Sequence, residues 1–315
     1  MSMSRRLFVK GSLIASAVAV VPAFRSRLYA QKAAITAAQM RADGAHAKIS
    51  VEKLRDRVHV LSGSGGNILV RSGRDGKVAV DSGYATSETQ VRGALGQLSP
   101  NPLLHLVNTH WHYDHTDGNQ WMHSAGAQII AHVQTRVRLS SKQSIPEFEA
   151  LLEPSPKSAL PAIVFAYGHE LRNDAETFQL RRYTPAHTDS DISVFLEHTN
   201  VLHTGDTWFN GYYPFIDYNS GGSIDGMVAA SKENLQLADS ETIVVPGHGN
   251  IGSRQDLVRF QEMLCTTREA VHALKRAGKS VDDVVAARPT AQFDAEWGSG
   301  FVTADLFTRL IYRGV

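Results

Sequence analysis

Apolar residues come in short runs separated by glycine and polar turns along most of the chain. The runs at 47–54, 58–61, 67–71 and 78–80 read as strands. Gly63, Gly65, Gly66, Gly73 and Gly76 punctuate them, as in an antiparallel meander. Residues 88–98 have helical spacing and lead into an apolar strand at 103–107, and 129–131 is a further short strand. The second half repeats this style, with strands at 177–183, 192–196, 201–203 and 242–245 and helices at 227–238, 255–276 and 302–312. Between the halves, residues 139–168 are rich in Ser and Pro and lack a period. They read as a long loop with some helix, of the sort that covers a site. Two β-then-α halves with helices outside the sheets predict an α+β fold, a four-layer αββα sandwich.

The N-terminus breaks the pattern. Arg5, Arg6 and Lys10 precede an apolar stretch at 11–21, which is about half the length that spans a bilayer as a helix. A charged segment before a short apolar one reads as a cleavable signal peptide, leaving no stable membrane anchor after processing. The arginine pair, with Phe8 and Lys10 behind it, resembles the twin-arginine signal at every key position. The expected partner is therefore the twin-arginine export machinery, and the expected location is the periplasm. Cleavage after Ala23 or after Ala30 fits equally. The second choice divides the chain into a signal at 1–30, a helical or loose lead-in at 31–46, and a domain at 47–315.

Charge changes little once this segment is set aside. Five of the 32 basic residues and none of the 31 acidic ones lie in it, so the remaining 27 basic residues leave a net charge near −4. No basic run or repeat points to nucleic acid, and an acidic surface argues against anionic polymers as partners. The 43% hydrophobic content supports a sizeable core. Cys265 is alone, which excludes an intramolecular disulfide and a thiolate-rich metal site; on its helix it reads as a buried structural thiol.

The chemistry gathers after the strand at 103–107, in Asn108-Thr109-His110-Trp111-His112-Tyr113-Asp114-His115. His110 and His112 are two apart, so in extended backbone they face one side and can grip one ion. Three imidazoles and a carboxylate in six residues are hard to justify as packing. They suit zinc, with iron or manganese as alternatives.

This His-x-His-x-Asp-His run resembles the metallo-β-lactamase superfamily. Later landmarks extend the likeness: Pro185-Ala186-His187-Thr188-Asp189, Leu202-His203-Thr204-Gly205-Asp206 and Pro246-Gly247-His248-Gly249. Upstream, Gly65-Gly66-Asn67-Ile68-Leu69 and Val78-Ala79-Val80-Asp81-Ser82-Gly83 resemble its opening strands. The resemblance implies that His110, His112 and His187 bind a first metal ion. Asp114, His115 and His248 would bind a second, and Asp206 would bridge the two together with a hydroxide. Asp114 would be the catalytic residue, orienting that hydroxide and passing on a proton. Asp81 and Asp191 would brace loops. His105 and His203 lie near enough to offer support, and the other histidines sit in no motif.

The function implied is a binuclear hydrolase with two zinc ions, cleaving a lactone, lactam, ester or thioester of a small organic molecule. Trp111, Tyr113, Trp208, Phe209, Tyr212, Tyr213 and Phe215 are candidates for its mouth, with core packing beneath the metals an equal reading for Trp208 and Phe209; where exposed, such aromatics favour an apolar or ring-bearing substrate. Two alternatives remain in the same fold: a single-iron, sulfur dioxygenase-like oxidoreductase, and a metal-binding protein without catalysis.

Overall fold

Residues 35–315 are described in a computed structural model; the expected signal at 1–30 and the start of the lead-in lie outside the described residues. Among those described, no helix is long and apolar enough to cross a membrane.

Seven strands build the first sheet, in the order Ser50–Arg55, Val58–Ser62, Ile68–Ser72, Lys77–Val80, Leu103–Asn108, Gln128–His132 and Ile163–Phe165. The first four form the expected antiparallel meander. The last three add in parallel, which requires crossovers; helices Glu88–Leu98 and Asn119–Ser124 lie in two of them. The second sheet runs Gly168–Asn173, Glu176–Arg182, Ile192–Leu196, Val201–His203 and Ile243–Val245. Its final strand joins in parallel after helix Ile224–Leu237.

Both faces of the central strands are buried, and alternate residues serve different layers. Val78, Val80, Val107 and Ile130 of the first sheet pack with Phe178, Leu180, Val194 and Val201 of the second. Their neighbours Ala79, Leu106 and Ile129 point the other way, onto Val91, Leu95 and Met122 of the outer helices. On the far side, Leu202 and Val244 pack under helices Ile224–Leu237, Arg254–Arg276 and Ala304–Gly314 through Met227, Phe260 and Phe307. These layers form the αββα sandwich.

Several local expectations need correction. Residues 139–168 contain a small hairpin, Gln143–Ile145 with Ala150–Leu152, and an edge strand, while their helix is the end of Val133–Leu139 and two short 3₁₀ turns. Strand Gly168–Asn173 was hidden because an edge strand carries Glu170 and Arg172 on its exposed side. Of the two readings of the lead-in, helical or loose, the helical one holds. Thr36 caps helix Ala37–Gly44, and Arg41 grips the Asp117 carboxylate with two hydrogen bonds, at 2.6 and 2.9 Å. Thr86 also donates to the Arg41 carbonyl, so the folded body begins before residue 47. Cys265 is half-buried rather than buried, flanking the apolar stripe of its helix.

Candidate metal centre

Parallel strand pairs set the geometry of the site. Lys77–Val80 and Leu103–Asn108 run side by side with Val80 opposite Val107, so Asp81 and Thr109 emerge together. Val201–His203 and Ile243–Val245 pair likewise with His203 opposite Val245, which delivers Asp206 and the loop of His248 to the same rim. Two glycines permit the close approach: a Cβ on Gly66 would strike the His115 ring, and one on Gly247 the Asp206 carboxylate. Asn67 ties the two halves, its amide donating to the carbonyls of Pro246 and Gly249 at 3.0 Å each.

All seven expected ligands converge. His110, His112, His187 and Asp206 each offer a donor atom within 4.8 Å of the others, and Asp114, His115 and His248 form a second such group. Asp206 links them. One of its oxygens is 3.1 Å from His115 Nε2, while the other is 3.4 Å from both His187 Nε2 and His248 Nε2. Asp114 lies 3.1 Å from His248 Nε2.

The outward nitrogens decide what the inward ones can do. His112 Nε2 is 3.0 Å from the Asp217 carboxylate and His187 Nδ1 is 2.8 Å from the Phe215 carbonyl. Both partners only accept, so each imidazole spends its proton there. The inward atoms, His112 Nδ1 and His187 Nε2, then face each other across 2.8 Å as two lone pairs. The same logic reaches His110 through a relay. Thr109 donates its hydroxyl to Asp81 at 2.8 Å, so it accepts from His110 Nδ1 at 3.1 Å. His110 Nε2 is left buried without a hydrogen-bond partner. Lone pairs turned toward one another in a buried space call for a cation between them. The residues present fit metal ions.

Charge follows the same division. Burial, helped by neighbouring imidazoles, holds His110 well below the usual histidine range and His187 down to about 4. Burial also opposes charge on His248, but the Asp206 and Asp114 carboxylates outweigh it and push His248 up to about 9. Asp114 goes the other way: burial would raise it, yet His115 and His248 hold it at about 2.

Asp81 does more than brace a loop. Besides Thr109, it accepts from His115 Nδ1 at 2.7 Å, and it sits in the left-handed region at φ 67°, a strained position typical of functional sites. Asp191 does brace, accepting from the Thr188 amide. His203 supports the Asp206 loop, its Nδ1 accepting from Gly205 N at 3.0 Å, whereas His105 Nδ1 has no partner. The sequence reading missed Asp217, which no histidine motif flags. Its only signal was an Asp before Asn219-Ser220-Gly221, and it caps that turn through Asn219 N and Ser220 N.

A cavity of about 260 Å3 opens above Asp114, His112, His187, Asp206 and His248. Of the aromatics expected at its mouth, only Tyr113 and Phe215 line it. Trp208, Phe209 and Tyr213 are fully buried in the core instead, and Phe209 stacks on His248 at 5.2 Å. Ile145 and Phe148 bring the middle segment to the cavity, as expected of a segment that covers a site, whereas Ile35 and Met40 from the lead-in, Tyr84 and Phe301 were not foreseen.

This chain matches the metallo-beta-lactamase superfamily over residues 64–248 and belongs to it. Among named relatives, a hydroxyacylglutathione hydrolase of Polaromonas sp. is 28% identical over 152 residues, 47% of this chain and 49% of that protein. The match thus spans about half that relative's length. The 2,4-dinitroanisole O-demethylase subunit alpha of Nocardioides sp. is 26% identical over 240 residues, covering 75% of this chain and 68% of its own. Solved structures share the fold. The sec-alkylsulfatase Pisa1 from Pseudomonas sp. superposes with a TM-score of 0.65 at 14% identity, covering 84% of this chain and 50% of that one. The DIM-1 metallo-beta-lactamase gives 0.55 at 22% identity, covering 70% and 98%.

Proposed function

We propose that this protein is a binuclear metal-dependent hydrolase, with two zinc ions as its expected metals, that cleaves an ester, thioester, lactone or lactam bond of a small organic molecule. One observation carries the reading: His112 and His187 turn lone pairs toward each other at 2.8 Å, with His110 Nε2 buried and unpartnered beside them. The hydroxyacylglutathione hydrolase relatives, which are thioester hydrolases, support the reaction class.

Bound metal ions would acidify water near neutral pH and polarise the acceptor oxygen. The chain's own groups do the rest. Asp206 reaches imidazoles of both groups and would hold both ions in register. Asp114 faces the cavity with one oxygen engaged by His248. Its carboxylate, held at about 2, is ionised at neutral pH and can orient a nucleophile's proton before releasing it to the leaving group.

The test is elemental analysis of the purified protein and of His110→Ala, with ester, thioester and lactone turnover by wild type and Asp114→Ala. About two zinc ions per chain, falling in His110→Ala, with turnover lost in Asp114→Ala, is the expected result. One iron per chain would shift the reading to oxygen-dependent chemistry, and turnover surviving in Asp114→Ala would place catalysis elsewhere.

We also propose twin-arginine export to the periplasm, supported by Arg5-Arg6 with Phe8 and Lys10 ahead of the apolar stretch. Replacing both arginines with lysine should trap the protein in the cytoplasm on fractionation; continued export would sink the idea.

A further inference from the structure

We propose that the lead-in helix is a specificity wall, and that Met40 on it helps select neutral substrates with a compact apolar acyl group. The inference rests on the hydrolase reading for the bond that is cleaved, but the pocket itself can be tested without turnover.

Beyond the metal-ligating floor, the cavity is lined by Ile35 and Met40 of the lead-in, Ile145 and Phe148 of the middle segment, and Phe301. Tyr113 donates its hydroxyl to Met40 Sδ at 3.2 Å, fixing the thioether at the wall. Phe148 meets Phe301 and Phe215 at ring distances of 5.8 and 4.8 Å, so these three walls pack against one another. No Lys or Arg lines the cavity among the described residues; the charge it shows beyond the floor is Asp43. Arg41, next to Met40 in sequence, is held away by the Asp117 carboxylate and lies over the Tyr113 ring at 4.6 Å. A carboxylate on the acyl group would therefore meet no counter-charge from the walls. An apolar body fits, because sites of this kind bind by burying apolar surface and orienting it with few polar groups. The volume of about 260 Å3 lies just below the roughly 300 Å3 at which ordinary ligand pockets begin, which favours a ring or a short chain.

The experiment compares metal-loaded wild type, Met40→Leu, Met40→Ala and Met40→Lys on p-nitrophenyl acetate, p-nitrophenyl butyrate and mono-p-nitrophenyl glutarate. Binding of the neutral ketone butyrophenone is followed in parallel by saturation-transfer NMR. Wild type and Met40→Leu should favour butyrate over glutarate by about 10-fold or more in kcat/KM. Met40→Ala should lower the butyrate-to-acetate ratio, and Met40→Lys should raise glutarate relative to butyrate by about 10-fold. Ester cleavage with glutarate preferred in wild type, or with a ratio that Met40→Lys leaves unmoved, overturns this proposal while the hydrolase reading stands. No turnover of these esters or of thioesters, lactones and lactams, with butyrophenone bound by wild type and lost in Met40→Lys, overturns the hydrolase reading and supports the wall. Neither cleavage nor binding overturns both.

Discussion

Nε2 of His112 lies 3.0 Å from the carboxylate of Asp217, 105 residues further along the chain. This contact fixes the tautomer of a candidate ligand, because a proton held at Nε2 leaves Nδ1 as a lone pair toward His187. Asp217 is itself well prepared. Burial would raise its carboxyl, but the His112 hydrogen bond and the Ser220 hydroxyl hold it at about 2. The metal site therefore depends on a residue that belongs to none of the histidine motifs.

Replacing Asp217 with Asn keeps the turn cap but removes the charge, and lets an amide N–H face the imidazole instead. Metal affinity of the wild-type group should fall by about 10–100-fold, the usual cost of losing a carboxylate behind a ligating histidine. Competition against a chromogenic chelator measures this, with circular dichroism to check folding. Unchanged affinity would mean that His112 is oriented by packing alone.

Asp81 serves both ligand groups, through Thr109 to His110 and directly to His115. Asp81→Asn should therefore weaken both metals, whereas Asp217→Asn should weaken the group containing His112 first. Asn tolerates the left-handed backbone that Asp81 occupies at φ 67°, so the comparison isolates charge from conformation. Stepwise titration of the two variants with zinc separates the cases; a loss confined to one metal in Asp81→Asn would contradict the shared role.

The sandwich and the His110–His115 cluster were legible in the sequence for a physical reason, whereas His187, Asp206 and His248 were reached through the family resemblance. Central strands such as 103–107 and 192–196 are apolar on both faces, and the polar chemistry is concentrated where those strands end. The supporting residues were not legible. Asp217 looks like any turn residue, and Met40 like any apolar position in a short helix; each gains its role only from what the fold lays against it. Trp208 and Phe209 read equally as mouth or as core packing beneath the metals, and the fold takes the second. An aromatic beside a ligand can serve as packing beneath the site as readily as at its mouth, and Phe209 lies flat against His248 at an interplanar angle of 18°.

Gly66→Ala tests whether the first sheet's glycine loop is matched to the ligand above it. A Cβ there would overlap the His115 ring, a group that is fully buried and tied to Asp81 and so cannot step aside. Strain of about 1–3 kcal/mol is expected. It should appear as a lower Tm together with weaker binding of the second metal. A variant with wild-type Tm and full metal content would show that the loop can shift without cost.

Arg41→Ala tests how the lead-in helix is held. The Arg41–Asp117 pair is partly exposed, with side chains 32% and 20% accessible, so its net contribution to global stability should be at most about 1 kcal/mol. Its local effect should be larger, since the other anchors are few: the Thr86 and Gln90 side chains, which donate to backbone carbonyls of the segment, the Tyr113 hydroxyl on Met40 Sδ, buried Ala37 and Gly44 packed against Tyr84. Amides of residues 37–44 should exchange hydrogen faster in Arg41→Ala, with Tm and metal content close to wild type. If the helix walls the cavity, KM for an apolar ester should rise in the same variant while kcat changes less, because ground-state contacts are lost and Asp114 is untouched. Slow exchange retained at 37–44 would show that the remaining contacts suffice. A faster helix with an unchanged KM would separate the anchor from the site.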